Sequence, residues 1–342
     1  MKRQAAVALL LSVLLLTLFV VAVGWEDVLA AIQRATLEIY VFVFVATSVC
    51  LVFRSLVWHR LLSVVDRPRP HWLVGGIFLT AMFAKYVTPY GQVTSGVGVA
   101  AIVSRYYDSA YEEALAAVVS ADFLNYIPYY TFGSIGVGYV LLVHSPAIDI
   151  LAYVPTATAV SIAVVLLLGI VWLRQTLILE GLFRVVDGVR GLLGRIAPGK
   201  AHHLRRENVI RRFEGFQTTL SIVTRDRHTV GIALVYAHVG WLAFAAALYL
   251  SAAAVHHPVP FGVAVLCVAL SKVGFILPTP GGLGGVELAL SGVLYLLTPM
   301  TGAIALAVAI LYRFGTYWFT VLVGGVTSIA LSLKDPLPPE AE

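Results

Sequence analysis

Residues 271–287 read Ser271-Lys272-Val273-Gly274-Phe275-Ile276-Leu277-Pro278-Thr279-Pro280-Gly281-Gly282-Leu283-Gly284-Gly285-Val286-Glu287. Apolar sequence leads in from Phe261 and out to Leu297. The middle cannot be regular helix. Pro278 and Pro280 lack an N–H, and four glycines fall within the next five residues. In hydrocarbon, such backbone survives only where protein or a water-filled cavity satisfies its polar groups. Lys272 and Glu287 flank the break, and an ionisable residue at membrane depth marks a functional site by default. A plain helix kink seldom needs two prolines, four glycines and a charge of each sign.

Within this stretch, Pro278-Thr279-Pro280-Gly281-Gly282-Leu283-Gly284-Gly285-Val286-Glu287 resembles the signature of the transmembrane flippase-like family. That family is typified by the membrane half of bacterial lysylphosphatidylglycerol synthase/flippase. The resemblance is expected to cover residues 1–335, without the soluble aminoacyl-transfer domain that follows in the bifunctional members. What it implies is lipid handling rather than lipid synthesis.

Composition agrees with a membrane chain. Of 342 residues, 60% are hydrophobic and 12% charged, and several apolar runs approach or exceed the roughly 20 residues that span a bilayer. Cys50 and Cys267 both lie in apolar runs and read as packed thiols. The net charge of +5 sits in loops beside the membrane, where basic residues set topology and attract anionic head groups; it is not a nucleic-acid footprint. Met1-Lys2-Arg3 and the run behind it mimic a signal peptide. No small-residue cleavage site precedes Trp25, so residues 4–24 are read as a retained first helix.

The chain is expected to be an all-α polytopic membrane protein with about six full transmembrane helices and two re-entrant helical hairpins. Residues 1–335 form one integral membrane domain. Helix two spans roughly 36–58 and hands over at Arg54, His59 and Arg60 to a basic loop. Residues 72–104 are apolar but broken at Thr88-Pro89-Tyr90-Gly91-Gln92. Apolar runs follow at 114–143, 150–173, 229–253, 261–297 and 302–333. Residues 174–228 are a basic, amphipathic segment lying in the inner interface. Residues 336–342 form a disordered tail.

With the N-terminus cytoplasmic and both broken segments turning back, 19 of the 23 Lys and Arg fall in cytoplasmic parts. Arg34 is the one in an outer loop; Lys85, Lys272 and Arg313 lie inside apolar sequence. Both termini are then cytoplasmic, in the cell membrane. Length favours hairpins, because residues 92–104 and 284–297 reach only about 20 Å at 1.5 Å per residue, short of the roughly 30 Å hydrocarbon core. The two breaks also look like distant copies: each has a lysine, Lys85 or Lys272, a few residues before a Pro-x-Gly turn. They enter from opposite sides. This is the pattern of an inverted-topology repeat whose broken helices meet near the midplane. The first repeat covers about 36–143 and the second about 229–333.

Arg313 falls about 12 residues into the last span, roughly 17 Å deep, and needs a partner or an anionic ligand. Glu287 is its natural partner. Arginine suits phosphate bidentately, and Lys85 and Lys272 add point charge. The substrate-binding candidates are therefore Lys85, Pro89, Gly91, Lys272, Pro278, Pro280, Gly281, Gly282, Gly284, Gly285, Glu287 and Arg313. Asp122, Asn125 and Arg105 are candidates for the cavity wall. Tyr312, Tyr317 and Trp318 read as packing or interface anchors. No residue is assigned a catalytic or metal-binding role, no cofactor is expected, and no Walker motif is present.

These features point to a flippase or transporter that moves an anionic phospholipid or a polyprenyl-phosphate-linked lipid between leaflets, and not to an enzyme. The alternative is a membrane subunit or scaffold for a separate lipid-modifying enzyme or glycosyltransferase. The expected partners are the lipid, the bilayer, and either a second copy or a separate synthase.

Overall fold

The computed structural model describes residues 24–65, 67–88, 111–142, 225–277 and 279–334, with a few positions between 99 and 107 and residues 218 and 222. Apart from Thr218, these belong to one compact unit formed by Met1–Ala147 and Thr219–Glu342. The expected first helix, the 150–173 span, all but a few positions of the basic segment, the tail, and Pro89, Gly91, Arg105 and Pro278 lie outside the described residues.

The described elements are helical: α1 (Trp25–Gln33), α2 (Leu37–Val65), α3 (His71–Val87), α4 (Tyr111–Leu142), α5 (Arg227–Ala254), α6 (Phe261–Leu270), α7 (Gly285–Leu297), α8 (Gly302–Arg313) and α9 (Phe319–Lys334). Among the described residues, four stretches are long and apolar enough to cross a bilayer: Leu37–Val64, Arg227–Ala254, Pro280–Leu297 and Gly302–Leu333. His71–Val87 and Phe261–Ile276 are shorter apolar helices. The chain is an all-helical, multi-pass membrane protein.

The faces of these helices show their solvent. On α2, Val41, Phe42, Val45, Val49 and Val52 form an exposed apolar stripe, while Val43, Cys50, Val57 and Leu61 on the other side are fully buried. On α9, Leu322, Val326, Ile329 and Leu333 repeat every three to four residues and are all exposed. Such stripes face lipid tails. With no hydrophobic drive between helices in lipid, small residues let backbones approach closely. A Cβ at Gly136 of α4 would press on the Leu266 backbone of α6, and one at Gly324 of α9 would meet the Leu79 carbonyl of α3 at 2.5 Å. Outside the hydrocarbon, Asp226 caps α5 by accepting from the Thr229 N–H at 3.0 Å. That bond holds its carboxyl below the usual carboxylate range.

One boundary differs from the sequence reading. The second helix was expected to end near residue 58, with Arg54 in the basic loop. It continues to Val65, because Leu61 and Leu62 extend the buried face. Arg54 therefore has about 17 Å of helix after it. Its side chain is buried, running past Gly240 of α5, where a Cβ would meet Arg54 Cγ at 3.1 Å.

Two pairs of chain ends come together. A half-open cavity of about 900 Å³ is lined by Asp27 and Arg34 from around α1, His256 and His257 from before α6, and Tyr295 and Thr301 from around the end of α7. Both ends of the 261–297 segment thus reach one opening. Around the first break, the Arg69 guanidinium lies 5.7 Å from the Tyr107 ring centroid, so the residues before α3 meet those beyond the break.

Candidate functional site

The break in 261–297 is built in three steps. α6 tightens after Leu270 into a 3₁₀ turn over Ser271–Ile276, and Leu277 is extended. Pro280–Gly282 forms a second tight turn, and α7 starts at Gly285. The turn satisfies its own backbone: Gly282 N–H donates to Thr279 O, Leu283 N–H to Pro280 O, and the Thr279 hydroxyl to Leu283 O. The two arms touch backbone to backbone, since a Cβ at Gly274 or Gly285 would overlap the other strand of the break. Gly281 has φ of 58°, and a Cβ there would overlap the Tyr317 ring. Gly282 lies against Phe275 and Val286, and Gly284 (φ 81°) caps α7.

Glu287 sits in the first turn of α7, where the helix dipole favours negative charge. Arg313 comes from the end of α8. Its Nε donates to Glu287 Oε1 at 2.8 Å, and its Nη2 donates to Gly281 O at 2.8 Å. Both side chains are buried. One arginine thus ties the carboxylate after the break to a carbonyl inside it. The arginine neutralises the carboxylate through Oε1, while Glu287 Oε2 is buried with no hydrogen-bond partner among the described residues.

The last span also departs from regular helix. Phe314–Trp318 is a π-helical turn directly after Arg313. Gly315 admits Val43 of α2 there, and the Tyr40 hydroxyl donates to Leu311 O at 2.8 Å. The turn aims Tyr317 at the break. Arg313 lies 4.3 Å from its ring centroid, the ring covers Gly281, and its hydroxyl donates to Tyr86 O at 3.3 Å. Tyr86 stands two residues before Thr88, at the end of α3. The second break and the end of α3 therefore meet across Tyr317.

The first break has its own ion pair. Lys85 of α3 pairs with Asp122 Oδ2 of α4, and the Trp58 indole N–H donates to Asp122 Oδ1 at 3.3 Å. Lys85 also lies 5.5 Å from the Trp58 ring centroid. Asn125, one turn on, is buried; its Nδ2 donates to Arg54 O, and its own carbonyl accepts the Trp241 indole N–H at 2.6 Å.

Lys272 differs from Lys85. Among the described residues it makes no ion pair, and its Nζ lies 5.0 Å from the Trp241 ring centroid and 4.8 Å from that of Phe275. Arg54 is equally without a carboxylate of its own. Its guanidinium lies 5.8 Å and 6.0 Å from the Phe78 and Phe244 centroids, and its Nε has no hydrogen-bond partner among the described residues.

The model of the lysylphosphatidylglycerol synthase TM region matches residues 5–324, most of the chain. The chain belongs to that family. Another protein similar to this lysylphosphatidylglycerol synthase TM-region chain is a UPF0104 membrane protein of Pyrococcus horikoshii. It is 22% identical over 329 residues, which cover 93% of this chain and 95% of that protein.

In this member of the lysylphosphatidylglycerol synthase TM family, the structure brings Pro280, Gly281, Glu287 and Arg313 into one cluster. Lys85 and Asp122 form a second, joined to the first through Tyr86 and Tyr317. Asn125 faces the α2 backbone. Sequence reasoning gave Arg54 to the basic loop, read Tyr317 as a packing or interface anchor, and did not single out Trp58 or Trp241. The only available signal was the continuation of apolar sequence past Arg54.

Proposed function

We propose that this protein moves the anionic head group of a phospholipid or polyprenyl-phosphate lipid between the leaflets of the cell membrane. Two opposed re-entrant hairpins, broken near Thr88 and at 277–284, form the halves of an inverted repeat and enclose the path. About six full spans surround them, with both termini cytoplasmic. The observation that carries this reading is the Arg313 guanidinium, held in the membrane interior by Glu287 and by the carbonyl of a broken helix. Arginine is a bidentate phosphate ligand, and here a carboxylate occupies it in place of substrate.

In this reading Glu287 keeps Arg313 neutralised between transport events, and an arriving phosphate takes its place. The tails stay among the exposed apolar stripes. Rocking of one repeat against the other, about the contact at Tyr317, alternates access. The cavity bordered by Arg34, His256 and Tyr295 is the outer mouth. The test uses proteoliposomes with a fluorescent anionic phospholipid. The protein should speed exchange between leaflets over empty vesicles, and rates equal to empty vesicles across several lipid classes would remove the proposal.

A further inference from the structure

The basic and acidic side chains inside the described membrane region do not balance. Arg54, Lys85, Lys272 and Arg313 face only two carboxylates, Asp122 and Glu287. Glu287 is taken by Arg313, and Asp122 by Lys85 and Trp58. Two basic side chains remain without a carboxylate of their own, and they are neighbours. The aliphatic stem of Arg54 lies on Gly240 of α5, and Lys272 lies over the next residue, Trp241.

Arg54 is only 6% exposed, and its Nε has no partner among the described residues. A guanidinium cannot shed its proton to escape such a site. The aromatic rings of Phe78, Phe244, Trp241 and Phe275 lend these cations partial support, but rings supply no charge. Tyr86 and Cys50 flank Arg54 and supply hydroxyl and thiol, not carboxylate. Asp122 also acts on Arg54, but it is already engaged twice.

We propose that Arg54 and Lys272 together receive the phosphate of the transported lipid, at a site distinct from the self-neutralised Arg313–Glu287 and Lys85–Asp122 pairs. The proposal rests on the lipid-transport reading and specifies where its substrate binds. Arg54 supplies the planar fork for two phosphate oxygens, and Lys272, at the start of the second break, supplies a point charge. Glu287 keeps Arg313 neutralised while the phosphate is held here, and Arg313 takes the phosphate over as it crosses.

The experiment is native mass spectrometry of the full-length protein in detergent, titrated with phosphatidylglycerol and separately with inorganic phosphate. Arg54→Gln and Lys272→Gln should each weaken the tightest phosphatidylglycerol by about tenfold or more, the range for a lost bond to a charged group. Arg227→Gln, at the exposed start of α5, should change it less than about twofold. Arg54→Lys keeps the charge and loses the fork, so it should fall between wild type and Arg54→Gln; it also serves if the glutamine variant misfolds. Displacement of phosphatidylglycerol by inorganic phosphate would support the phosphate as the recognised group. Inorganic phosphate bound through Arg54 with no phosphatidylglycerol bound would overturn the lipid as its source. Unchanged phosphatidylglycerol affinity in both glutamine variants, with exchange between leaflets intact in wild type, would overturn this site while leaving lipid transport standing.

Discussion

Arg313 and Glu287 stand 26 positions apart in the chain and 2.8 Å apart in the fold, one ending α8 and the other opening α7. With the bond from Arg313 to Gly281 O, this pair closes the broken segment onto the last span. Removing one partner strands a buried charge. Arg313→Ala is predicted to destabilise by about 3–5 kcal/mol, and so is Glu287→Ala. The double variant should lose less than the two single losses combined. Thermal denaturation in detergent, read by size-exclusion fluorescence, checks the coupling; simple additivity would mean the two do not act together.

The Lys85–Asp122 pair should matter less. Asp122 is 21% exposed against 5% for Glu287, so water screens it when its partner goes. Lys85→Met is therefore predicted to lower the melting temperature by a smaller step than Arg313→Ala. The reverse order would mean that the first break, not the second, is the more tightly held.

Gly281 is predicted to be intolerant of any side chain. Its φ of 58° costs a non-glycine residue about 1–3 kcal/mol, and a Cβ would also overlap Tyr317. Gly281→Ala should destabilise clearly, and Tyr317→Ala in the same chain should relieve part of that loss. If Tyr317→Ala gives no relief, the ring does not bear on the break as described.

The hairpin reading makes a topological prediction. His257 and Pro299 are exposed and flank the 261–297 segment, while Cys50 and Cys267 are buried. His257→Cys and Pro299→Cys should react with a membrane-impermeant maleimide from the same side of the bilayer. Labelling from opposite sides would make the segment a crossing.

Much of this arrangement is legible in the sequence, for identifiable reasons. Two prolines and four glycines in an apolar run cannot be regular helix, so the break was evident. A carboxylate and a guanidinium at that depth need each other, so Glu287 and Arg313 could be paired without coordinates. Arg54 was hidden by its neighbours. His59, Arg60, Arg67 and Arg69 follow closely and make the region look like a cytoplasmic loop, although Leu61 and Leu62 carry the buried face onward. Tyr317 was hidden differently, because nothing local announces a π-helical turn. The turn depends on Gly315 meeting Val43 of a distant helix, and only that geometry turns the phenol toward the break. Asp122 could be placed inside the membrane by sequence, but its choice of Lys85 is a matter of how α3 and α4 lie together.

The central claim is that ionised groups where the two breaks meet exist to pass an anionic head group. Its most direct measurement is the leaflet-exchange rate of fluorescent phosphatidylglycerol in vesicles carrying wild type or Arg313→Gln at matched protein density. The account predicts exchange above protein-free vesicles for wild type and a rate slower by about tenfold or more for the variant, as expected for a lost charged contact. Equal rates for a folded variant and wild type would contradict it.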